Sequence, residues 1–363
     1  MTSVNIPPNI KAAVGTGIAS SRFHGAHLVR LAIEEAMESA GITQASSVIL
    51  FLTPDFVRSI DASLKAAVKS SGCVQIVGAT VRGVFTEEDT GLNRSTAAAM
   101  VFGAPFTVGL PQKKSSIHLV LATNGHIPSL WQMPYGSIFG GIVGEAPLGL
   151  IWRGGKLSHE AWLHLPISDT SARIGVAQGI KILSQPLPIT AFSNGDIAEV
   201  GHRNAAGYLT SFLPDGVNLK QLVLRNQLFL GILEGGSIKS FLDRRYRFVP
   251  VIKIGTDHVA VGEELDLGQL VFWAWRSPEY GTAETEKTVA RLQAQVKAPK
   301  FAIAVSCLQR GPYFYQTHDQ DIAIFRKHFP NLPLLGFYSH GEIAPLQGVN
   351  ALLQYSFVLG VFS

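Results

Sequence analysis

The sequence predicts an α/β protein built as two tandem mixed-sheet domains flanked by helices. Three observations predict it. Apolar runs of six or seven residues, too short for buried helices, recur beside stretches with helical periodicity. Charged residues make up 15% of the chain and hydrophobic residues 47%; a charged share well under the usual ~25% suits extensive buried strand. A strand–helix–strand order in the first half reappears in the second. The 363 residues leave room for two domains of ordinary size, placed at 1–205 and 206–363.

The first helix spans Gly25 to Ala40. Val29, Ala32, Ile33, Ala36, Met37 and Ala40 share one face, and Gly41 follows the last turn, where glycine stops helices. "SVILFL" (47–52) reads as a buried strand. Thr53-Pro54 then opens a second helix, since proline suits the first turn, and Gly72 closes it. "VQIVGATVRGVF" (74–85) is a strand and turn, followed by strands "TAAAMVF" (96–102) and "IHLVLAT" (117–123). From Ser158 to about Asn204 apolar and polar residues alternate, with turns at Pro186, Asn194-Gly195 and Gly201, as antiparallel strands do. Strands "QLFLGIL", "RFVPVIKIG" and "QLVFWAW" come next, then a helix from about Ala283 to Lys297 stopped by Pro299. Strand "FAIAVSC" (301–307), a helix over Gln320–Phe329, the segment "PLLGFYSHGEI" (333–343) and a last strand "QYSFVLGVF" complete the chain. The acidic "THDQD" (317–321) fits the start of that last helix, where the helix dipole favours negative charge.

The two halves echo each other in detail. Gly78 and Gly83 are five residues apart, as are Gly336 and Gly341, and each pair lies at the end of an apolar strand that follows a helix. The pattern suggests an internal duplication with one α/β unit per half. Glycine at a strand end permits a sharp turn. It also lets backbone approach a small ligand, with polar side chains at the carboxyl ends of strands lining the site. The candidates are Thr80 and Arg82 in the first half and Tyr338, His340 and Glu342 in the second. Cys307 and Arg310, at the end of the preceding strand, join them if consecutive strands pair. In an extended segment Tyr338, His340 and Glu342 share a face. Arg310 would then hold a ligand carboxylate and Glu342 an amino group, with an Arg310–Glu342 ion pair as the purely structural alternative.

Other chemistries find little support. The glycine turns lack the Lys and Ser/Thr of a phosphate loop, and "GTGIAS" (15–20) lacks the third glycine of a dinucleotide fingerprint, so no cofactor is expected. In "HEAWLH" the histidines are five apart, the wrong spacing for a zinc helix, and no metal is expected. Asn124-Gly125-His126 and Gln178-Gly179 also put polar groups and glycine at strand ends. Net charge is +4 with basic residues scattered, apart from Arg244-Arg245-Tyr246-Arg247, so nucleic acid is not an expected partner. Two cysteines imply no disulfide framework. There is no apolar leader and no apolar run of eighteen residues, so the expectation is a cytoplasmic protein without membrane insertion.

"FAIAVSCLQRGPYFY" and "FRKHFPNLPLLGFYSHGEIAP", with the closing strand, resemble the C-terminal part of the FIST family, the F-box and intracellular signal transduction proteins. "CVQIVGATVRGVFTEE" and "RIGVAQGIKILSQPLPITAFSNGDIAEVGHRNAAGYL" resemble its N-terminal segment. The resemblance runs over about residues 25–360. It implies a sensory module that binds a small metabolite, an amino acid among the candidates, and passes the signal to an attached or separate output; with both halves taken up by the resemblance, the expected output is an unidentified partner protein or none. Homo-oligomerisation is left open. An enzyme using Cys307, His340 and Glu342, and a protein-interaction scaffold, stand as alternatives.

Overall fold

The apolar runs form strands where expected, but the sheets they build number more than two. The computed structural model describes residues 13–110, 117–123, 134–145, 147–168, 170–243 and 245–363. The chain begins β1 (Val14–Ser21), α1 (Ala26–Ala40), β2 (Ser47–Leu52), α2 (Ile60–Ser71), β3 (Ile76–Thr80), a hairpin β4 (Gly83–Thr86) and β5 (Thr90–Leu92), and β6 (Ser95–Phe102). Gly41 ends α1 in the left-handed region, and Thr53-Pro54 starts a 3-10 helix, Pro54–Ser59, that leads into α2. Next come β7 (Thr107–Val108), β8 (Ile117–Ala122), β9 (Ile138–Ile142), a hairpin β10 (Ile151–Arg153) and β11 (Lys156–Leu157), β12 (Trp162–Ser168) and β13 (Ala172–Ala177).

A second compact unit, Gly179–Glu284, follows. Its strands are β14 (Ile180–Ile182), β15 (Leu187–Ser193), β16 (Asp196–Val200), β17 (Arg203–Asn204), β18 (Leu228–Leu233), β19 (Tyr246–Ile254), β20 (Val259–Val261) and β21 (Leu270–Arg276). They pair antiparallel in one eight-stranded sheet. Leu230, Val249, Val271 and Trp273 on one face of this sheet pack with Leu209 of α3 (Ala205–Thr210) and Leu222 of α4 (Leu219–Leu224). A short α5 (Ile238–Leu242) sets Phe241 edge-on to Phe272. The chain returns through α6 (Pro278–Gln295) to β22 (Phe301–Cys307), α7 (Gly311–Tyr315), α8 (Gln320–His328), β23 (Leu334–Ser339), a hairpin β24 (Glu342–Leu346) and β25 (Val349–Leu353), and β26 (Phe357–Phe362).

The first unit, Met1–Gln178 with Thr285–Ser363, holds three six-stranded sheets with one strand order. They run β1-β6-β2-β3-β10-β11, β7-β12-β8-β9-β24-β25 and β13-β26-β22-β23-β4-β5. In each, the third and fourth strands pair parallel and every other pairing is antiparallel. The connectivity also repeats: outer strand, two parallel strands, a hairpin, then the strand that returns beside the first. The hairpin always leaves its own sheet. β4-β5 completes the sheet of β23, β24-β25 completes that of β9, and β10-β11 completes that of β3.

The expected duplication is therefore a triplication. The middle copy has no helix among its described residues, which hid it from a search for strand–helix–strand order. The third copy carries residues 179–284, which include the first turns of α6, between its outer strand and its first parallel strand. The compact units consequently do not divide at 205, because the last strands share sheets with the first hairpins.

Inward residues of the three sheets meet in one core. Phe51 packs on Phe337 at 4.8 Å between ring centres, Phe102 on Phe301 at 5.2 Å, and Phe139 on Phe362 at 5.9 Å. Outward residues of the first sheet are covered by α1 and α2, and those of the third by α6 and α8.

Candidate functional site

Gly78, Gly140 and Gly336 hold the same place in the three copies. Each pairs with its parallel neighbour (Leu50, Val120 and Ala304) on one side and with an incoming hairpin residue (Trp152, Ile343 and Phe85) on the other. A Cβ at Gly78 would lie 1.8 Å from the Leu50 carbonyl oxygen, and one at Gly140 would lie 1.9 Å from that of Val120. Their φ values, +152° and +154°, also disfavour other residues. At Gly336 the ring of Phe85 fills the space, 2.1 Å from where a Cβ would be. Gly78 and Gly336 were singled out in the sequence; Gly140 was not, although Ile138-Phe139-Gly140 repeats the pattern of Ile76-Val77-Gly78 and Leu334-Leu335-Gly336.

Beyond these glycines the strands turn. The His340 N–H donates to the Ile142 carbonyl at 2.9 Å, and the Ile142 N–H to the Gly341 carbonyl at 2.8 Å, so the second and third turns are joined. Four residues past their glycines stand Arg82, Gly144 and His340, with Glu145 next to Gly144. Arg82, Glu145 and His340 are exposed. The His340 ring lies 3.7 Å from where a Cβ on Gly144 would sit. Partial burial holds the His340 imidazole below its usual pKa; the positive charge of Arg82 pushes the same way and the negative charge of Glu145 opposes it. A cation, an anion and an imidazole thus gather at turns from all three copies. Thr80 sits behind them, buried; its hydroxyl donates to the Leu148 carbonyl and accepts the Leu150 N–H at 2.7 Å, tying the first turn to the strand that enters its sheet.

The remaining candidates point elsewhere. Tyr338, His340 and Glu342 do not share a face, because the strand ends at Ser339 and the turn carries Glu342 into the neighbouring sheet. Tyr338 faces the helices and donates to Asp319 at 2.6 Å. Glu342 lies fully buried at the end of the common core. One carboxyl oxygen accepts from Ser339 Oγ at 2.6 Å, the other from the Ser356 N–H at 3.1 Å and Ser356 Oγ at 2.7 Å, and Cys307 bonds the same carboxyl. Burial pushes Glu342 up to about 7 against these donors. The equivalent hairpin residues in the other copies are Val84 and Ile151, and the residues equivalent to Ser339 are Val81 and Val143. Two copies out of three show that the fold accepts aliphatic groups where this carboxyl stands.

Arg310 is fully buried and does not meet Glu342. Its guanidinium forks onto Asp321 through Nε at 2.6 Å and Nη2 at 3.0 Å. It also donates to the carbonyls of Gln178 and Tyr355 at 3.0 and 3.1 Å, and to Thr285 Oγ1 at 3.0 Å. Gln178 and Thr285 flank residues 179–284, so one side chain clamps the chain where it leaves the first unit and where it returns. Asp319 caps α8 by accepting the N–H groups of Asp321 and Ile322, as its acidic sequence suggested. Asn124-Gly125-His126 lies outside the described residues. Gly83 opens β4, and Gly341 lies between β23 and β24.

Residues 205–345 match the FIST C domain family model. The FIST C domain is associated with sensory functions in signal transduction, and the match includes Cys307, Arg310 and the His340 turn. Two proteins of Mycobacterium tuberculosis are similar to this chain: the uncharacterized protein MT0656 of strain CDC 1551 / Oshkosh and the uncharacterized protein Rv0628c of strain ATCC 25618 / H37Rv. Each is 24% identical over 190 residues, 52% of this chain and 50% of the relative. The chain thus spans about half the length of the curated relatives it matches.

Proposed function

We propose that this protein is a cytoplasmic sensor that binds a small metabolite, an amino acid being the ligand class that fits best, at the three turns that carry Arg82, Glu145 and His340. The observation that carries this reading is the gathering of a guanidinium, a carboxylate and an imidazole on turns brought together from three sheets. Arg82 takes the ligand carboxylate in a forked pair, Glu145 the ammonium group, and His340 a further polar group. The expected roles of Arg310 and Glu342 pass to these exposed residues, since Arg310 is already engaged by Asp321. A separate protein would receive the signal. No helix among the described residues is long and apolar enough to cross a membrane.

Calorimetry with an amino-acid and metabolite panel tests the reading on the wild type, Arg82→Ala and Glu145→Ala. Loss of a charged hydrogen bond weakens binding by about 1.5–3 kcal/mol. A panel member that binds both folded variants as tightly as the wild type places the site elsewhere; a panel with no binder removes the reading. An enzymatic reading is favoured by one observation, the bond between Cys307 and Glu342. Turnover of a bound metabolite, lost in Cys307→Ser, would carry that reading instead.

A further inference from the structure

Adjacent residues at the end of β23 anchor the His340 turn from opposite faces. Tyr338 donates outward to Asp319 and Ser339 donates inward to Glu342, each at 2.6 Å. Both acceptors are buried carboxyl groups. Around Glu342 stand Cys307 of β22, Ser339 of β23, and Ser356 just before β26; none of the three is a cation. β9 pairs Gly141 against Glu342 and β25 pairs Leu353, so neither supplies a charge. Around Asp319 stand the Tyr338 hydroxyl, the Asp321 and Ile322 N–H groups that it caps, and the carboxylate of Asp321, whose charge is already taken by Arg310, with Tyr315 and Thr285 completing that network; burial and the Asp321 charge outweigh the donors. An ionised carboxylate at either place is a buried charge without a counter-ion, or one facing a second negative charge.

We infer that the His340 turn is a proton-operated latch, closed while Asp319 and Glu342 hold their protons and loosened when either gives its proton up. Protonated, each carboxyl still accepts its hydroxyl bond, and no charge is buried. Deprotonated, the charge is better solvated if the turn opens and admits water. The copies without the device keep Val81 and Val143 at the position of Ser339, so the latch belongs to this turn alone.

Burial raises both carboxyls, Glu342 to about 7 and Asp319 upward with the charge of Asp321 adding to the effect. An opened turn returns Glu342 towards its ordinary 4.5, so opening grows about tenfold between pH 6 and pH 8 from Glu342 alone. Hydrogen exchange on the ligand-free protein reads this at the amides of His340 and Ile142, which close the turn, after correction for intrinsic pH dependence. The wild type shows the growth, Glu342→Gln and Asp319→Asn each reduce it, the double variant flattens it, and the β2 amides show none. If Glu342→Gln does not fold, Glu342→Leu puts an aliphatic group where the other copies carry Val84 and Ile151, removes the same proton and reduces the growth likewise. Superposable profiles in the wild type and the folded variants, or equal growth at the β2 amides, overturn the latch. No ligand enters the measurement, so its outcome is independent of the proposed metabolite site.

Discussion

Arg310→Ala converts the buried polar network around Asp321 into a liability. The substitution leaves the Asp321 carboxylate enclosed, with Thr285 Oγ1 and Tyr315 Oη as its side-chain donors, and strips a donor from the carbonyls of Gln178 and Tyr355. Removing one partner of a buried ion pair costs about 3–5 kcal/mol. At about 2–4 °C per kcal/mol for a domain of this size, the midpoint falls by roughly 6–20 °C. The double variant Arg310→Met/Asp321→Leu removes both charges, and in other buried pairs such replacements are often neutral or stabilising. Differential scanning calorimetry of the wild type, Arg310→Met, Asp321→Leu and the double gives the coupling between the two residues. A single Arg310→Ala variant that melts with the wild type, or a double variant that loses as much as the two singles together, refutes the view of Arg310 as a structural clamp.

Three further outcomes follow from the same geometry. Gly140→Ala, which drives a Cβ against the Val120 carbonyl, destabilises strongly, while Gly136→Ala, with open space at its Cβ, shows only the modest cost of its positive φ; parallel thermal melts separate them. Glu342 binds its proton more tightly folded than unfolded, so its contribution is fully present below pH 4.5, falls as pH rises through about 7 and is flat above. Glu342→Gln is therefore more stable than the wild type at pH 8 by roughly 3 kcal/mol, and urea titrations at pH 5 and pH 8 that give equal differences contradict this. Thr80→Val orphans the Leu150 N–H and costs about 1–3 kcal/mol, measurable in the same titrations.

Much of the fold was legible because its strands carry their own signals. β2 and β22 coincide with the runs 47–52 and 301–307, and the stops at Gly41, Gly72 and Pro299 hold. β1 was missed because Gly15 and Gly17 interrupt it; a Cβ at Gly17 would meet the Ala32 carbonyl of α1 at 2.2 Å, so glycine there serves helix packing. The middle copy was missed because Gly140 and Gly141 dilute β9 and its hairpin begins eleven residues past Gly140, against five for the first copy. The site was half legible. Glycine spacing located the turns with Arg82 and His340, whereas Glu145 belongs to the unrecognised copy. Alternation assigned Glu342 to a shared face with Tyr338, but alternation ends where a strand leaves its sheet. Arg310 and Asp321 are eleven residues apart on different elements, and only the docking of α8 reveals their pairing.

The exchange of hairpins has a consequence for any attempt to divide the chain. Each sheet borrows its last two strands from another part of the sequence, so a fragment holding one copy would bare the flank of β3, β9 or β23 as a row of unanswered backbone donors and acceptors. Such a flank recruits whatever strand fits it, and the best-fitting strand is the matching hairpin of a second molecule. Severed pieces of this protein are thus expected to reassemble with each other or to interlock with their own kind, and the boundary at which the chain can be cut cleanly is the pair of crossings that Arg310 holds.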